Sequence, residues 1–210
     1  MRARPVSFER LVEDIRERIG AWPRERRMRV AVDGSPAAGP ERLADALVGP
    51  VRERGREVVR VSAWDFLRPA SLRYEFGRHD PDVFYDDWLD VNGLLREVLG
   101  PLEPGGSGKV LPSLWDRARD RATRARYVDV PAGGVVLVDG ALLLGRGLPF
   151  DMTVHLDLSA AALARRTDED QAWTLPAYER YRAEALPLRS ADVAVRMDDP
   201  RHPALVTEDG

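Results

Sequence analysis

The chain contains no cysteine, and only one of its 32 basic residues, Lys109, is a lysine. The absence of cysteine excludes disulfides, thiolate metal ligands and a cysteine nucleophile. The scarcity of lysine matters because phosphate-binding loops usually place a lysine ammonium against the phosphates. Any phosphate-binding loop away from Lys109 therefore lacks this cation.

Long apolar runs and an excess of positive charge are also missing. No apolar stretch approaches the length needed to cross a bilayer, and the arginine-rich start lacks the apolar segment of a secretion signal. The formal net charge of −3 gives no general attraction for nucleic acid or anionic membranes. We therefore expect a cytoplasmic protein with neither a nucleic-acid nor a membrane partner. The sequence does not indicate an oligomeric state.

Histidine is scarce as well. His79, His155 and His202 are scattered, without a helical pair or a carboxylate at ligand spacing. This distribution predicts no metal site at the histidines. Each histidine is expected to be structural or to lie at the surface.

The residues that are present alternate between strand and helix patterns. The length of 210 residues, with 44% hydrophobic and 32% charged residues, is typical of one globular domain. Predicted strands cover residues 28–32, 57–62, 135–138, 153–158 and 191–195. Predicted helices cover residues 8–19 after an N-cap at Ser7, 43–51, 94–99 with a cap at Asp86 or Asp87, 160–166 and 178–185. The alternation predicts an α/β fold with a mostly parallel sheet flanked by helices, and a ligand site at the carboxyl ends of the strands.

The segment 30–47, VAVDGSPAAGPERLADAL, carries the clearest functional pattern. A buried strand, a glycine, four residues, a second glycine and a helix form the layout of a P-loop, whose backbone amides and helix N-terminus hold phosphates. The predicted phosphate-binding residues are Gly34, Ser35, Ala37, Ala38, Gly39 and Glu41. The alternative, that this segment only connects a strand to a helix, stays open on the motif alone.

Two residues of this segment depart from the P-loop pattern. The pattern requires a lysine for the β- and γ-phosphates and a serine or threonine for Mg²⁺, but the sequence has Pro40 and Glu41. Pro36 also removes an amide donor. A carboxylate about 4 Å from an anionic oxygen costs about 4 kcal/mol at an effective dielectric constant of about 20. We expect weak or no binding of ATP with Mg²⁺, unless Glu41 itself binds the metal.

A second glycine-rich segment, PGGSGKV at residues 104–110, contains the only lysine. The residue five positions before Gly108 is Glu103 rather than glycine, and no strand immediately precedes the segment, so the phosphate-loop spacing fails. The segment is predicted to be a turn that enters a strand.

Several further segments carry a resemblance to a known family. They are GVVLVDG ending at Gly140, FLRP at 66–69, DPDVFYDDWLD at 80–90, PLEPGG at 101–106 and LWDRARD at 114–120. In this order, together with DGSPAAG, they resemble the uridine kinase-like P-loop proteins over residues 28–205. The resemblance implies a three-layer P-loop NTPase-like fold and a single nucleoside kinase-like domain over residues 1–210, with an N-terminal helix within 1–26 and a lid-like helical region at 163–186. It also implies ATP and Mg²⁺ as cofactors, with Asp139 near the metal.

The resemblance implies roles for individual residues. Uridine kinases have an aspartate, two residues before a phenylalanine, that receives the proton of the nucleoside hydroxyl; Trp64 occupies this position, and the adjacent Asp65 is the candidate catalytic base. The implied substrate-binding residues are Arg68, Tyr85, Trp115, Asp116 and Arg117. The family's histidine five residues beyond the aromatic position is replaced by Asp120.

The lid-like region retains part of the family's positive charge. Arg165 and Arg166 match arginines that approach the transferred phosphoryl group, whereas a later lid arginine aligns with Glu169. Two hypotheses follow. The protein is a kinase of a nucleoside or a related small hydroxyl compound, or it is a catalytically impaired relative, a pseudokinase, that binds a nucleoside- or nucleotide-like ligand or a protein partner in the old kinase cleft. The substitutions at Pro40, Glu41, Trp64, Asp120 and Glu169 favour the second hypothesis.

Overall fold

Strands and helices alternate along the chain in the computed structural model, which describes residues 2–207. The strands are β1 Arg2–Pro5, β2 Met28–Gly34, β3 Val58–Ser62, β4 Lys109–Val110, β5 Trp115–Asp116, β6 Arg121–Ala122, β7 Val128–Asp129, β8 Val135–Gly140, β9 Met152–Asp157, β10 Val193–Arg196 and β11 Ala204–Thr207. The α-helices are α1 Phe8–Gly20, α2 Pro40–Glu53, α3 Ala70–Arg73, α4 Pro81–Asp87, α5 Val91–Leu94, α6 Ala160–Arg166, α7 Leu175–Glu184 and α8 Pro187–Ser190. Short 3₁₀ turns cover Pro36–Ala38, Ala63–Phe66, Gly100–Leu102 and Glu169–Thr174, and a π-helical turn covers Leu95–Leu99. Residues 1 and 208–210 of the predicted domain lie outside the described residues.

Seven strands form one sheet in the order β1-β11-β10-β9-β2-β8-β3. The five strands from β10 to β3 run parallel, whereas β11 pairs antiparallel with both β10 and β1. The short pairs β4–β7 and β5–β6 form separate antiparallel ribbons. The mostly parallel sheet flanked by helices, predicted from the sequence, is confirmed; the antiparallel edge formed by the two ends of the chain was not predicted.

The central strands are buried along their whole length. Every residue of β2 and of β8 is buried, as expected for parallel strands covered on both faces. Helix α2 packs on β2, β3 and β8, and α8 packs on β9 and β10. Helix α1 forms as predicted, because Leu11, Ile15 and Ile19 share one apolar face and the Ser7 hydroxyl accepts the backbone N–H of Arg10 at 3.1 Å.

The segment 80–102 differs from the predicted single capped helix. Asp87 is the last residue of α4 rather than a cap. The Asp80 carboxylate instead accepts the N–H groups of the first turn of α4, and the Asp90 carboxylate accepts the N–H of Gly93 in α5. Two aspartates with good cap geometry therefore divide the segment into two short helices. The segment around Lys109 is a turn that enters β4, as predicted.

Within residues 2–207, no helix combines the length and the apolar character needed to cross a membrane.

Candidate functional site

The turn between β2 and α2 has the wrapped form that the sequence predicts. At Gly34, a Cβ atom would lie 2.9 Å from the carbonyl oxygen of Leu156 in β9, so a side chain there would collide with the neighbouring strand. Gly39 has a φ of +79°, a left-handed conformation that glycine adopts without strain, and it turns the chain directly into α2. Both predicted glycines are therefore required by local geometry.

The turn has few amide donors left for an anion. The N–H of Ala38 donates to the Ser35 carbonyl at 2.9 Å, and the N–H of Gly39 donates to the Pro36 carbonyl at 3.0 Å. Pro36 and Pro40 have no N–H. The turn therefore offers fewer free donors than the spacing alone predicts.

Asp139 lies beside this turn, at the end of β8. It is paired in register with Val32 of β2, and it is almost completely buried. Its carboxylate accepts a hydrogen bond from Nε of Arg60 at 2.9 Å and contacts the Ser62 hydroxyl at 3.5 Å. Burial raises the pKa of Asp139 above its ordinary value, although the Arg60 guanidinium acts in the opposite direction. The predicted position of Asp139 next to the turn is confirmed.

Arg60 of β3 connects Asp139 to helix α2. Its guanidinium forms ion pairs with Asp139, with Asp45, and with Glu41 at 3.6 Å. Glu41 and Asp45 lie one helical turn apart in α2, so both face the same side. We call these four residues the Arg60 cluster: one guanidinium is surrounded by three carboxylates at the N-terminus of the helix that follows the turn.

A cleft of about 480 Å³ opens in front of the turn. The turn contributes Ser35 and Glu41, the lid-like region contributes Arg166 and Tyr178, and the opposite side contributes Trp64 and Arg117. The predicted phosphate-binding residues Ser35, Ala37 and Glu41 line this cleft, whereas Gly34, Ala38 and Gly39 shape the turn behind it. The cleft is therefore the candidate functional site.

One side of the cleft is aromatic. Phe84 stacks against Trp64 with ring centroids 6.5 Å apart and meets Trp88, Trp173 and Tyr178 edge-on at 5.0 to 5.9 Å. We call these five residues the aromatic wall. The wall joins the lid-like region, through Trp173 and Tyr178, to α4, and it provides flat apolar surface inside the cleft.

The candidate base Asp65 faces away from this surface. Trp64 lines the cleft, whereas the Asp65 side chain lies near Ser113, and the Asp65 carbonyl accepts the N–H of Leu114 at 3.0 Å. Burial raises the pKa of Asp65 above its ordinary value, and the nearby Arg117 partly opposes this rise. The side chain that faces the cleft at the family's base position is therefore an indole.

The two candidate arginines of α6 differ in their surroundings. Arg165 is exposed. Arg166 lines the cleft, but Nη1 donates to the Met197 carbonyl at 2.8 Å and Nη2 donates to the Asp198 carbonyl. The guanidinium of Arg166 is thus held by the backbone after β10.

Of the predicted substrate-binding residues, Arg117 lines the cleft, with its guanidinium carbon 5.4 Å from the centroid of Trp64. Trp115 donates its indole N–H to Asp120 at 3.0 Å, and Asp120 also accepts the N–H of Ala70 at 2.8 Å. Asp116 accepts backbone N–H groups of the hairpin that follows it. Trp115, Asp116 and Asp120 therefore fasten the β5–β6 hairpin.

The other two predicted substrate-binding residues contact neighbouring helices. Arg68 forms an ion pair with Asp87 at 2.5 Å. The Tyr85 ring lies between the guanidinium groups of Arg146 and Arg180, at 5.4 and 4.3 Å. Burial raises the pKa of Tyr85, and Glu184 adds to the rise. Neither Arg68 nor Tyr85 lines the cleft.

A buried polar network behind the turn was not predicted. The fully buried Asp33 pairs with Nδ1 of His155 at 2.6 Å and accepts the hydroxyl of Tyr181 at 2.8 Å and the N–H of Leu143 at 2.9 Å. The Tyr181 hydroxyl in turn accepts the N–H of Leu144 at 3.0 Å. Burial raises the pKa of Tyr181 strongly. The signal in the sequence was an aspartate in the otherwise apolar strand VAVDG.

His155 is buried and structural, and His202 is exposed and contacts Asp199 at 2.9 Å. Among residues 2–207, no group of three or more histidine, cysteine, aspartate or glutamate side chains is arranged to hold a metal ion.

Comparison with known proteins gives the fold. No family model and no curated protein sequence matches the chain. A solved structure of a proposed uridine kinase from Bacillus stearothermophilus matches with a TM-score of 0.72 and 22% identity, covering 89% of this chain and 97% of that one. A proposed fructose transport system kinase from Silicibacter sp. TM1040 matches with a TM-score of 0.66 and 22% identity, covering 90% and 98%. The fold is that of the P-loop kinases.

This kinase fold extends to a more distant structure. D-glycerate 3-kinase from Cryptococcus neoformans var. grubii matches with a TM-score of 0.51 and 15% identity, covering 84% of this chain and 79% of that one. The resemblance drawn from the ordered sequence segments is thereby confirmed for the kinase fold. The chemistry of this chain depends on the residues of its own cleft, because one fold supports many functions.

Proposed function

We propose that this protein is a non-catalytic relative of the P-loop kinases that binds a nucleoside- or nucleotide-like ring compound in the cleft. The observation that carries the proposal is the Arg60 cluster. Phosphoryl transfer requires a cation on the terminal phosphates and carboxylates that are free to arrange Mg²⁺. Here Pro40 and Glu41 supply neither the cation nor the hydroxyl, and the nearby guanidinium is already bound by three carboxylates.

The residues present do not fit Mg²⁺-bound ATP in the usual pose. Asp139 would have to give up its hydrogen bond with Arg60, whose side chain is 23% exposed, before it could turn to a metal. Breaking a buried ion pair by removing one partner typically costs about 3 to 5 kcal/mol, and partial exposure reduces this figure. Glu41, at the helix N-terminus, adds a negative charge where the phosphates would lie. We therefore assign no catalytic step to ATP or to Mg²⁺.

The groups that would act on a transition state are also displaced. Trp64 faces the cleft at the position of the base, and the Arg166 guanidinium is held by the carbonyls of Met197 and Asp198. Loss of one preorganised charge or donor commonly lowers the rate by about 10²- to 10³-fold. Several such losses together favour binding without turnover.

The aromatic wall supports a ring-containing ligand. The Trp64 indole lines the cleft with the Arg117 guanidinium beside it. Stacking of a base on an aromatic side chain contributes about 1 to 3 kcal/mol and tolerates different bases. The cleft therefore offers recognition of a planar ring without requiring a highly charged phosphate chain.

A second candidate function is an ATP-dependent kinase of a nucleoside or a related small hydroxyl compound. One observation favours it: burial raises the pKa of Asp65, which is adjacent to Trp64 and near Arg117. A carboxylate with a raised pKa is better suited to accept a proton near neutral pH. This candidate requires Asp65 to leave Ser113 and turn towards the cleft.

The two candidates are separated by titrating the full chain with nucleosides, nucleoside monophosphates, ADP and ATP with Mg²⁺, followed by thermal shift and calorimetry. The proposal predicts binding of ring compounds with few charges, weak or no binding of ATP, and no turnover. Trp64→Leu should weaken the binding at least about tenfold through loss of stacking, whereas Trp22→Phe, at a residue that does not line the cleft, should not. Phosphorylation by the unmodified protein at about one turnover per second, abolished by Asp65→Asn, would establish the kinase instead.

A further inference from the structure

Arg146 lies in the segment that follows β8, next to a small apolar pocket. Its Nε donates to the Leu142 carbonyl at 2.5 Å, Nη2 donates to the Tyr85 carbonyl, and its guanidinium carbon lies 5.4 Å from the centroid of the Tyr85 ring. These neutral contacts fix the orientation of the guanidinium. None of them neutralises its charge.

The apolar pocket is a small recess that opens to solvent, with a cavity volume of about 20 Å³. Leu67, Leu89 and Leu142 line it together with Trp64 and Trp88, and Arg146 is the one charged residue among those that line it. The pocket shares Trp64 and Trp88 with the cleft, so the two spaces adjoin. A recess of this size has room only for a small head group of a ligand, but its composition, apolar with a single charged group, is that of a ligand subsite.

Arg146 has no ion-pair partner within residues 2–207. The carboxylates that influence it most are Asp86, which pairs with Arg180, and Asp33, which is held by His155 and Tyr181. Burial lowers the pKa of Arg146. Arg146 is partly exposed, and a cation that loses part of its hydration without gaining a counter-ion carries a free-energy cost. An anionic ligand would remove that cost.

We propose that the apolar pocket binds the anionic group of a small aromatic ligand, a carboxylate or a phosphate monoester, through Arg146, with the ligand's ring against Trp64 and Trp88. The inference rests on the proposed function and names the class of ligand: a planar ring that carries one anionic group. Arg146 supplies the charge, the carbonyls of Leu142 and Tyr85 hold it in place, and the tryptophans supply the apolar surface.

The test compares matched pairs of anionic and neutral ligands by calorimetry on the full chain. The pairs are benzoate against benzamide, phenyl phosphate against phenol, and uridine 5′-monophosphate against uridine. At least one pair should show an anionic member that binds about tenfold or more tightly than its neutral partner, in line with charge-assisted hydrogen bonds. The carboxylate and phosphate arms identify which anion the pocket prefers. Equal affinities in every pair, or no binding of any anionic member, would overturn the proposal.

Variants assign the preference to Arg146. Arg146→Gln keeps amide donors for the two carbonyls but removes the charge, so the preference for the anion should fall below about threefold, while Arg146→Lys should retain part of it. Arg96→Gln, at an exposed residue paired with Glu97, is the matched control and should keep the full preference. An undiminished preference in Arg146→Gln would also overturn the proposal.

If Arg146→Gln does not fold, a second variant that leaves the charge unchanged tests the same proposal. Ala141 lines the pocket and is partly exposed, so Ala141→Leu should fill the pocket and weaken the anionic ligand at least about tenfold while leaving Arg146 in place. Unchanged affinity in this variant contradicts the assigned pocket.

The proposed function and this inference can fail separately. Equal binding of neutral and anionic ligands contradicts only the inference, whereas turnover of a bound ligand contradicts only the proposal that the protein is non-catalytic.

Discussion

At the scale of single residues, the substitution of Lys and Ser or Thr by Pro40 and Glu41 is accompanied by a rearrangement of charge around Arg60. In the sequence, Glu41 puts a negative charge at the position where the P-loop pattern binds Mg²⁺ and phosphate. In the structure it is one of three carboxylates that share a single guanidinium. The two observations agree, because the guanidinium that contacts Glu41 is already neutralised.

We predict that ATP with Mg²⁺ binds the unmodified protein weakly or not at all. Glu41→Ala should increase the affinity, because it removes a repulsion of about 4 kcal/mol at most and leaves Arg60 with one fewer partner. Calorimetry at low ionic strength measures both proteins. If the unmodified protein already binds ATP with micromolar affinity and Glu41→Ala leaves that affinity unchanged, the electrostatic argument is contradicted. If the unmodified protein binds ATP and Glu41→Ala abolishes the binding, Glu41 acts as a metal ligand.

Asp65 and Asp116 are near neighbours whose pKa values move in opposite directions. Burial raises the pKa of Asp65, whereas the hydrogen bond from the backbone N–H of Arg119 lowers that of Asp116. Asp65 therefore contributes stability below its unfolded pKa of about 3.9, and the contribution is lost as the pH rises through the folded value. Asp116 contributes stability above about 3.9, and the contribution is lost as the pH falls through its lowered folded value.

This difference gives a prediction for stability against pH. Urea unfolding between about pH 3 and 7 should show the wild type losing stability relative to Asp65→Asn as the pH rises, and gaining stability relative to Asp116→Asn. Each variant serves as the control for the other. Parallel trends for the two variants would show that the environments of these carboxylates are not those described.

At the scale of elements, the Asp33 network holds the turn to the lid-like region. Asp33 precedes Gly34, the last residue of β2; His155 belongs to β9, and Tyr181 belongs to α7. The hydroxyl of Tyr181 also accepts the N–H of Leu144 in the segment after β8. One buried carboxylate therefore fixes three elements and the segment that leads to Arg146.

Tyr181→Phe should destabilise the protein by about 1 to 3 kcal/mol, because it leaves the Leu144 N–H and part of the Asp33 carboxylate unsatisfied in a buried position. Tyr127→Phe is the matched control, since the Tyr127 ring is exposed and its hydroxyl bonds to Glu97 where water can replace it. That control should cost less than about 1 kcal/mol. Chemical denaturation measures both, and equal losses would argue against a special role for the network.

At the scale of the whole molecule, the proposed lack of catalysis can be tested by rebuilding the site within the kinase fold. Pro40→Lys with Glu41→Ser would rebuild the phosphate site, and Trp64→Asp would place a carboxylate at the base position. Arg60 would still form ion pairs with Asp139 and Asp45 in this triple variant. A fourth change, Arg60→Ala, would free the Asp139 carboxylate. The turn governs ATP affinity, whereas the carboxylate and the lid act mainly on the chemical step.

We therefore predict that Pro40→Lys with Glu41→Ser is enough to gain ATP binding, and that nucleoside phosphorylation requires Trp64→Asp in addition. Adding Arg60→Ala to the triple variant should increase the Mg²⁺-dependent binding of ATP. Calorimetry and a phosphorylation assay measure the two steps. Binding without turnover in the quadruple variant would point to the lid-like region and Asp120 as further defects. Unchanged ATP binding in both variants would show that the turn is not a latent phosphate site.

The sequence by itself determined the order of the main strands and helices, the two glycines of the turn and the position of Asp139 beside it. These follow from local rules: apolar runs and periodicity report burial, glycine reports close approach or a left-handed turn, and parallel strands bring their carboxyl ends together. The strand, turn and helix of residues 30–47 and the end of β8 could therefore be predicted without information on contacts between distant segments.

The tertiary structure alone decided which side chains meet. The antiparallel pairing of β1 with β11 joins the two ends of the chain, and the Arg60 cluster joins β3, α2 and β8. The exposure of Trp64 to the cleft rather than Asp65 depends on a 3₁₀ turn, and the unpaired charge of Arg146 depends on which carboxylates are already bound elsewhere. Such pairings follow from the order of strands in the sheet and from competition among many arginines and carboxylates, and neither is encoded in a local pattern of residues.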